Sequence, residues 1–306
     1  MARIKLRGLL GLLALVLAGC GGAAAPAPAA EPAAGKLRVV TTMSVLADMI
    51  RNVGGERVQA ENIIPVGAGP EDYQPTPEDA RTIATADVVF FNGHGLEAWL
   101  GDLFRSAAKP GQPQIAVSES LPALGVGEAG FAEGNPHFWL SAALGAKYVE
   151  RIRDGLAAAD PAGNQAYAAN AAAYTQQLLL LNAELKQQAA SLPPEARTIV
   201  TNHDAFPYFA QEYGFTIVGD ILGNAESEPS AGDLAALVQQ IRATQVKAIF
   251  SESQFSPKLS ETIAREAGVK VVANLYTDTL GEPGSGVASY ADMLRYNMGE
   301  IVEALR

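Results

Sequence analysis

Two α/β lobes, each a mostly parallel β-sheet flanked by helices, joined by one long rigid backbone helix, are what this 306-residue chain predicts. Three observations carry that expectation. Short β-branched and aromatic runs recur in both halves, and most are followed by an amphipathic helical stretch. Strands alternating with helices pair in parallel, because each helix returns the chain to the same end of the sheet. Between the halves lies a long segment of helix formers with no internal proline, too regular for a flexible linker.

In the N-terminal lobe, expected over residues 36–160, Leu37-Arg38-Val39-Val40-Thr41-Thr42 reads as a strand and Met43 to Asn52 as a helix. Val58 to Ile64 is extended, and Asp87-Val88-Val89-Phe90-Phe91 is a buried type of strand. Thr76-Pro77-Glu78-Asp79-Ala80 opens a helix. The threonine hydroxyl caps it, proline sits where its missing N–H is not needed, and two acids face the positive end of the dipole. The linking helix is expected over residues 161–192, with Leu178 to Leu181, Leu185 and Ala189 keeping one side apolar. At about 30 residues it would run roughly 45 Å. In the C-terminal lobe, residues 193–306, Thr198 to Thr201, Thr216 to Asp220, Val246 to Phe250 and Val269 to Leu275 read as strands. Helices are expected at Phe206 to Tyr213, Ser230 to Ala243 and Pro257 to Ala267.

The N-terminus points to export. Arg3, Lys5 and Arg7 precede an apolar run, Leu9 to Leu17, too short to span a bilayer as a stable helix, and Leu17-Ala18-Gly19-Cys20 closes it with small residues. This pattern resembles a bacterial lipoprotein signal over residues 1–19, with Cys20 as the lipidated first residue of the mature chain. Cys20 is the one cysteine, so neither a disulfide framework nor a thiolate ligand is available. Residues 20–35, nearly all Ala, Pro and Gly, have nothing to bury and read as a disordered tether. The expected location is extracytoplasmic, anchored by lipid to the bacterial cell membrane, in a periplasm or at the cell surface.

Loss of the first nineteen residues would leave 19 basic against 33 acidic residues, a formal charge of −14. Such a surface repels phosphates and favours neutral or cationic ligands, which excludes nucleic acid as a natural partner. The remaining chain, about 270 residues, suffices for two cores.

Only three histidines occur, and two lie in apolar-flanked segments, Asn135-Pro136-His137-Phe138-Trp139-Leu140 and Thr201-Asn202-His203-Asp204-Ala205-Phe206. A buried imidazole is costly without a partner, and neutral imidazole is the commonest protein metal ligand. Polar residues also gather where strands end. Glu71 lies in the Pro65 to Pro77 loop, and Asn92, His94 and Glu97 follow Phe91. Glu252 follows Phe250, and Asp278 follows the strand ending near Leu275. Open α/β sheets bind ligands at such strand ends, so the interlobe cleft is the expected site.

Taken together, the two histidine segments, Ser251-Glu252-Ser253-Gln254-Phe255-Ser256-Pro257-Lys258, Tyr276-Thr277-Asp278-Thr279-Leu280-Gly281 and Tyr290-Ala291-Asp292-Met293 with Asn297 resemble the periplasmic metal-binding lipoproteins of zinc and manganese ABC importers, the cluster A-I solute-binding proteins. The resemblance runs from about Lys36 to the C-terminus. It implies one ligand from each of four loops, with His137, His203 and Asp278 at the second, third and fourth positions. Glu252 and Asn92 would stand behind them. At the first position the family usually reads Pro-His-x-Tyr-Glu-Pro-Thr-Pro, whereas this chain has Pro70-Glu71-Asp72-Tyr73-Gln74-Pro75-Thr76-Pro77. Glu71 in place of the histidine would give two imidazoles and two carboxylates, a set acceptable to Zn²⁺, Mn²⁺ or Fe²⁺. His94, in the next strand-end loop of the same lobe, is the alternative fourth ligand.

The function so implied is capture of one divalent transition metal ion, zinc ahead of manganese, and its delivery to an ABC permease with its ATPase by a monomeric, non-enzymatic carrier. One alternative is a zinc hydrolase, with His137, His203 and Asp278 on the metal and Glu71 as general base. Another is a surface adhesin with a structural metal.

Overall fold

Residues 35–127, 132–223, 225 and 228–306 are described by the computed structural model. The expected signal segment, Cys20 and all of the tether except Gly35 lie outside the described residues.

Eight strands and nine α-helices follow one another among the described residues. The N-terminal half contains β1 (Leu37–Thr41), α1 (Ser44–Gly54), β2 (Val58–Asn62), α2 (Pro77–Thr85), β3 (Val88–Phe91), α3 (Leu100–Ala107), β4 (Gln114–Ala116) and α4 (Ala142–Ala159). The linking helix is α5 (Asn164–Ala189). The C-terminal half contains β5 (Thr198–Thr201), α6 (Pro207–Tyr213), β6 (Thr216–Asp220), α7 (Ala231–Thr244), β7 (Ala248–Glu252), α8 (Lys258–Ala267), β8 (Lys270–Leu275) and α9 (Tyr290–Leu305). The two sheets have the orders β2-β1-β3-β4 and β6-β5-β7-β8, with every pairing parallel. Each half therefore repeats one topology, in which the chain steps outward from its first strand, returns past it, and leaves a crevice at the strand ends where the direction reverses.

Strand side chains alternate between two apolar surroundings. On β1 Val39 joins one core and Val40 another, on β3 Phe90 and Val89 divide likewise, and on β7 Phe250 and Ile249 do the same. Both faces of each sheet are covered, which is why these strands read as continuous apolar runs. The inner faces of the two sheets share a single core filled from α1, α4, α5, α6 and α9. The halves are thus joined through packed side chains as well as through α5, which lies against α1, α4 and α9.

The expected helix start at Thr76 is realised as a capping box. Thr76 accepts from the Asp79 amide at 3.4 Å, and Asp79 accepts from the Thr76 amide at 2.6 Å. The linking helix starts later than expected, because Pro161–Gly163 form a separate 3₁₀ turn and leave 26 residues for α5, about 39 Å. Strand β7 likewise starts two residues late, after Gln245 takes a left-handed conformation at the end of α7. Helices α3, α4 and α9 and strand β4 go beyond the sequence expectations. Helix α4 contains Gly145 and Gly155, each unfavourable in a helix interior by about 1 kcal/mol. They are there for contact: a β-carbon at 145 would overlap the Tyr290 hydroxyl, and one at 155 the Phe90 ring.

Candidate metal centre

Glu71, His137, His203 and Asp278 each bring a ligand atom to one place, all within 4.8 Å of one another. His203 Nε2 lies 3.2 Å from His137 Nε2 and 3.5 Å from Asp278 Oδ2. His137 Nε2 is 3.5 Å from Glu71 Oε1 and 3.7 Å from Asp278 Oδ1. The imidazoles and Asp278 are buried, and the Glu71 side chain retains 12% exposure. Rings of Trp139, 5.1 Å from His137, and Phe255, 5.3 Å from His203, wall the cluster.

Each donor is held by its own loop. The loop bearing Glu71 leaves β2 and is pinned on one side by the Trp99 indole donating to the Pro70 carbonyl at 2.8 Å, and on the other by the α2 capping box. Gly67 N, in the same loop, donates to Thr279 Oγ1 of the opposite half at 2.9 Å. The loop bearing His137 follows β4. Asn135 Oδ1 accepts from the His137 amide at 3.1 Å and from its Nδ1 at 3.0 Å, which turns Nε2 toward the cluster. Asn92 donates to the Pro136 carbonyl at 3.0 Å, so it holds the loop and stays outside the cluster.

His203 follows β5 at the crevice. Glu252, at the end of β7, accepts the amides of Asn202 and His203 at 3.2 and 3.3 Å through Oε1. Its Oε2 approaches His203 Nδ1 to 2.8 Å, yet the contact is bent away from a good hydrogen-bond angle, so it acts as an ion pair. Asp278 follows β8, whose register against β7 shifts by one residue beside a left-handed Asn274. That bulge sits at the rim of the site, where bulges re-aim side chains. The Trp139 indole donates to the Thr277 carbonyl at 2.7 Å, fastening the Asp278 loop to the His137 segment.

Buried ionised groups need compensation, and here they compensate one another. Burial would lower the pKa of His203, but Glu252, Asp278 and Glu71 outweigh it and push the imidazole up to about 10. Burial raises Asp278 to about 6 against the opposing pull of both imidazoles. At Glu71 burial is outweighed by the His137 contact and the His203 charge, and the carboxyl is held below its usual value. Glu71 Oε2 and Asp278 Oδ1 are buried with no hydrogen-bond partner. Two imidazole nitrogens and two partly unpartnered carboxylates around one point are a donor set for a divalent cation.

His94 is not brought to this cluster. Its Nδ1 lies 2.9 Å from the Glu133 carbonyl and its Nε2 3.1 Å from the Ser118 carbonyl, and its ring packs on Phe138. Glu97, in the same loop, is buried and accepts from Thr42 Oγ1 and the amides of Asn92 and Gly93 at 2.7, 2.8 and 3.1 Å. Sequence reasoning singles out neither Asn135 nor Gln254, whose amide bonds Asp278 Oδ2 at 2.7 Å. Asn135 had a signal, since an asparagine two residues before a ligand can close an Asx turn onto it.

The profile of the ZnuA family, described as "Zinc-uptake complex component A periplasmic", matches residues 39–304. The manganese-binding lipoprotein MntA of Halalkalibacterium halodurans is 36% identical over 294 residues, covering 96% of each chain. Among solved structures, the periplasmic zinc-binding protein TroA from Treponema pallidum superposes with a TM-score of 0.82 at 31% identity, over 89% of this chain and 99% of that one. The Mn-bound periplasmic metal-binding protein of Candidatus Liberibacter asiaticus gives 0.80 at 30%, over 89% and 100%. A hydrolase with Glu71 as general base is overturned by this kinship, because such proteins are substrate-binding components of transporters. The chain belongs to the ZnuA family of metal-binding ABC transporter components and is not an enzyme.

Proposed function

We propose that Glu71, His137, His203 and Asp278 bind one divalent transition metal ion as cargo, Zn²⁺ more tightly than Mn²⁺, for delivery to an ABC permease and its ATPase. The convergence of their ligand atoms within 4.8 Å, from four loops of two halves, carries this reading. Nitrogen and oxygen donors of this kind bind Zn²⁺ above Mn²⁺ by the general affinity order of divalent metals. Manganese is the second reading: two hard carboxylates suit it, and MntA is named for it. One chain supplies every donor, so the site needs no second copy to complete it, which fits a monomeric carrier. Elemental analysis of protein purified from its native envelope without added metal tests the reading. One zinc per chain is expected, one manganese supports the second reading, and neither at stoichiometric level overturns both.

The same proposal places the protein outside the cytoplasm, anchored through lipidated Cys20 and a tether over residues 20–35. Among the described residues no helix is long and apolar enough to cross a membrane, so attachment would rest on the N-terminal segment. Cys20→Ala is expected to move the protein to the soluble fraction with metal affinity unchanged, because several acyl chains anchor stably and none does not. Retention of the variant in the membrane fraction would count against the anchor.

A further inference from the structure

Gln254 sits behind Asp278 in the turn that follows β7. Its Nε2 is 2.7 Å from Asp278 Oδ2, 2.6 Å from Thr277 Oγ1 and 3.2 Å from Glu252 Oε2. The Thr277 hydroxyl proton goes to Glu252 Oε2 at 2.6 Å, so the threonine oxygen faces the amide with its lone pairs. Three acceptors around one atom settle the orientation of the amide, since its oxygen there would meet only other acceptors. The opposite end, Oε1, is buried with no partner. Leaving a buried carbonyl unpaired is unfavourable, so the bonds made by Nε2 hold the side chain in place.

The two oxygens of Asp278 are therefore not equivalent. Oδ2 is engaged by Gln254, whereas Oδ1 is buried, unpartnered and 3.7 Å from His137 Nε2. Both border the cluster, since Oδ2 also lies 3.5 Å from His203 Nε2. A carboxylate with one oxygen tied back offers the other as a single donor; released, it can swing both oxygens onto one ion. The difference matters because Zn²⁺ is satisfied by four donors, whereas Mn²⁺ favours a larger oxygen-rich shell.

We propose that Gln254 is a positioning residue that restricts Asp278 to single-oxygen coordination through Oδ1 and thereby biases the site toward four-coordinate zinc over manganese. This rests on the ligand set proposed above. The same amide joins the Asp278 loop to Glu252, which braces His203, so both C-terminal ligands share one hydrogen-bonded support.

The test uses the purified full-length chain and its Gln254→Leu variant, with Zn²⁺ and Mn²⁺ affinities from chelator competition and the zinc donor count from X-ray absorption. The parent is expected to show four nitrogen and oxygen donors, and the variant five. The Zn²⁺ to Mn²⁺ affinity ratio is expected to fall about tenfold, the low end of what losing a partner behind a ligand costs. Equal weakening of both metals with a four-donor shell retained would mean only structural support and would overturn the proposal. Gln254→Asn, which keeps the amide but shortens its reach, carries the same expectations should the leucine variant fail to fold. Asp278→Ala separates the two levels. If it leaves Zn²⁺ affinity intact, the ligand set itself is wrong, whereas loss of affinity there with an unchanged ratio in Gln254→Leu sinks only the role of Gln254.

Discussion

Glu71→Gln, His137→Ala, His203→Ala and Asp278→Ala are each expected to weaken Zn²⁺ binding by at least about tenfold in competition titrations, because removing even a partner of a ligand costs 10 to 100-fold. Direct donors should cost no less. Glu71→Gln is the most informative of the four, since it preserves shape and replaces a charged oxygen by a neutral, poorer donor. Stabilisation by metal should shrink in parallel, as a ligand bound only by the folded state raises stability by RT ln(1 + [L]/Kd). The contrast is His94→Ala. Its ring joins the Ser118 and Glu133 carbonyls and packs on Phe138, so its loss should lower the melting temperature while leaving affinity within about twofold. A silent Glu71→Gln with a damaging His94→Ala would remove Glu71 from the site.

Much of this architecture was legible in residues. The capping box at Thr76 to Asp79 was readable because its chemistry is local, and β1, β3 and β5 stood out because strands covered on both faces leave uninterrupted apolar runs. Helix α4 was hidden for the opposite reason. Gly145 and Gly155 weaken its helical signal, and they are present for the sake of Tyr290 and Phe90, which are remote in sequence. Strand β4 has three residues at a sheet edge, too few to show a period. The sequence suggested two lobes tied by a helix. It did not reveal that their inner faces share one core, since that depends on which side of each helix meets the other half. At the site, the histidines and strand-end carboxylates were readable by type, whereas Gln254 is one glutamine among many until the fold sets its amide among three oxygens.

Zinc affinity should fall about tenfold for each unit of pH lost between pH 8 and 6, and more steeply below, because ligands must shed protons to bind. The sign follows from the metal-free site. With His203 pushed up to about 10, its imidazole is protonated at neutral pH, with Nε2 3.2 Å from His137 Nε2. The charge sits among Glu71, Asp278 and Glu252 where a cation would sit, so binding exchanges a proton for a metal ion. A raised histidine pKa favours the metal-free state below about 10, and that advantage fades only as pH rises through this value. Asp278, raised to about 6, is ionised at pH 7 and takes up a second proton below pH 6, which the metal must also displace. Despite its burial, Glu71 is held below its usual value by the His137 contact and the His203 charge. From pH 7 to 5 the loss is at least about two orders of magnitude. Counting protons released on adding Zn²⁺ to unbuffered protein is the direct measurement: about one per ion is expected at pH 7 and more at pH 5, where Asp278 also has a proton to give up. No release at pH 7 would show that His203 is neutral in the metal-free protein or does not bind the ion through Nε2.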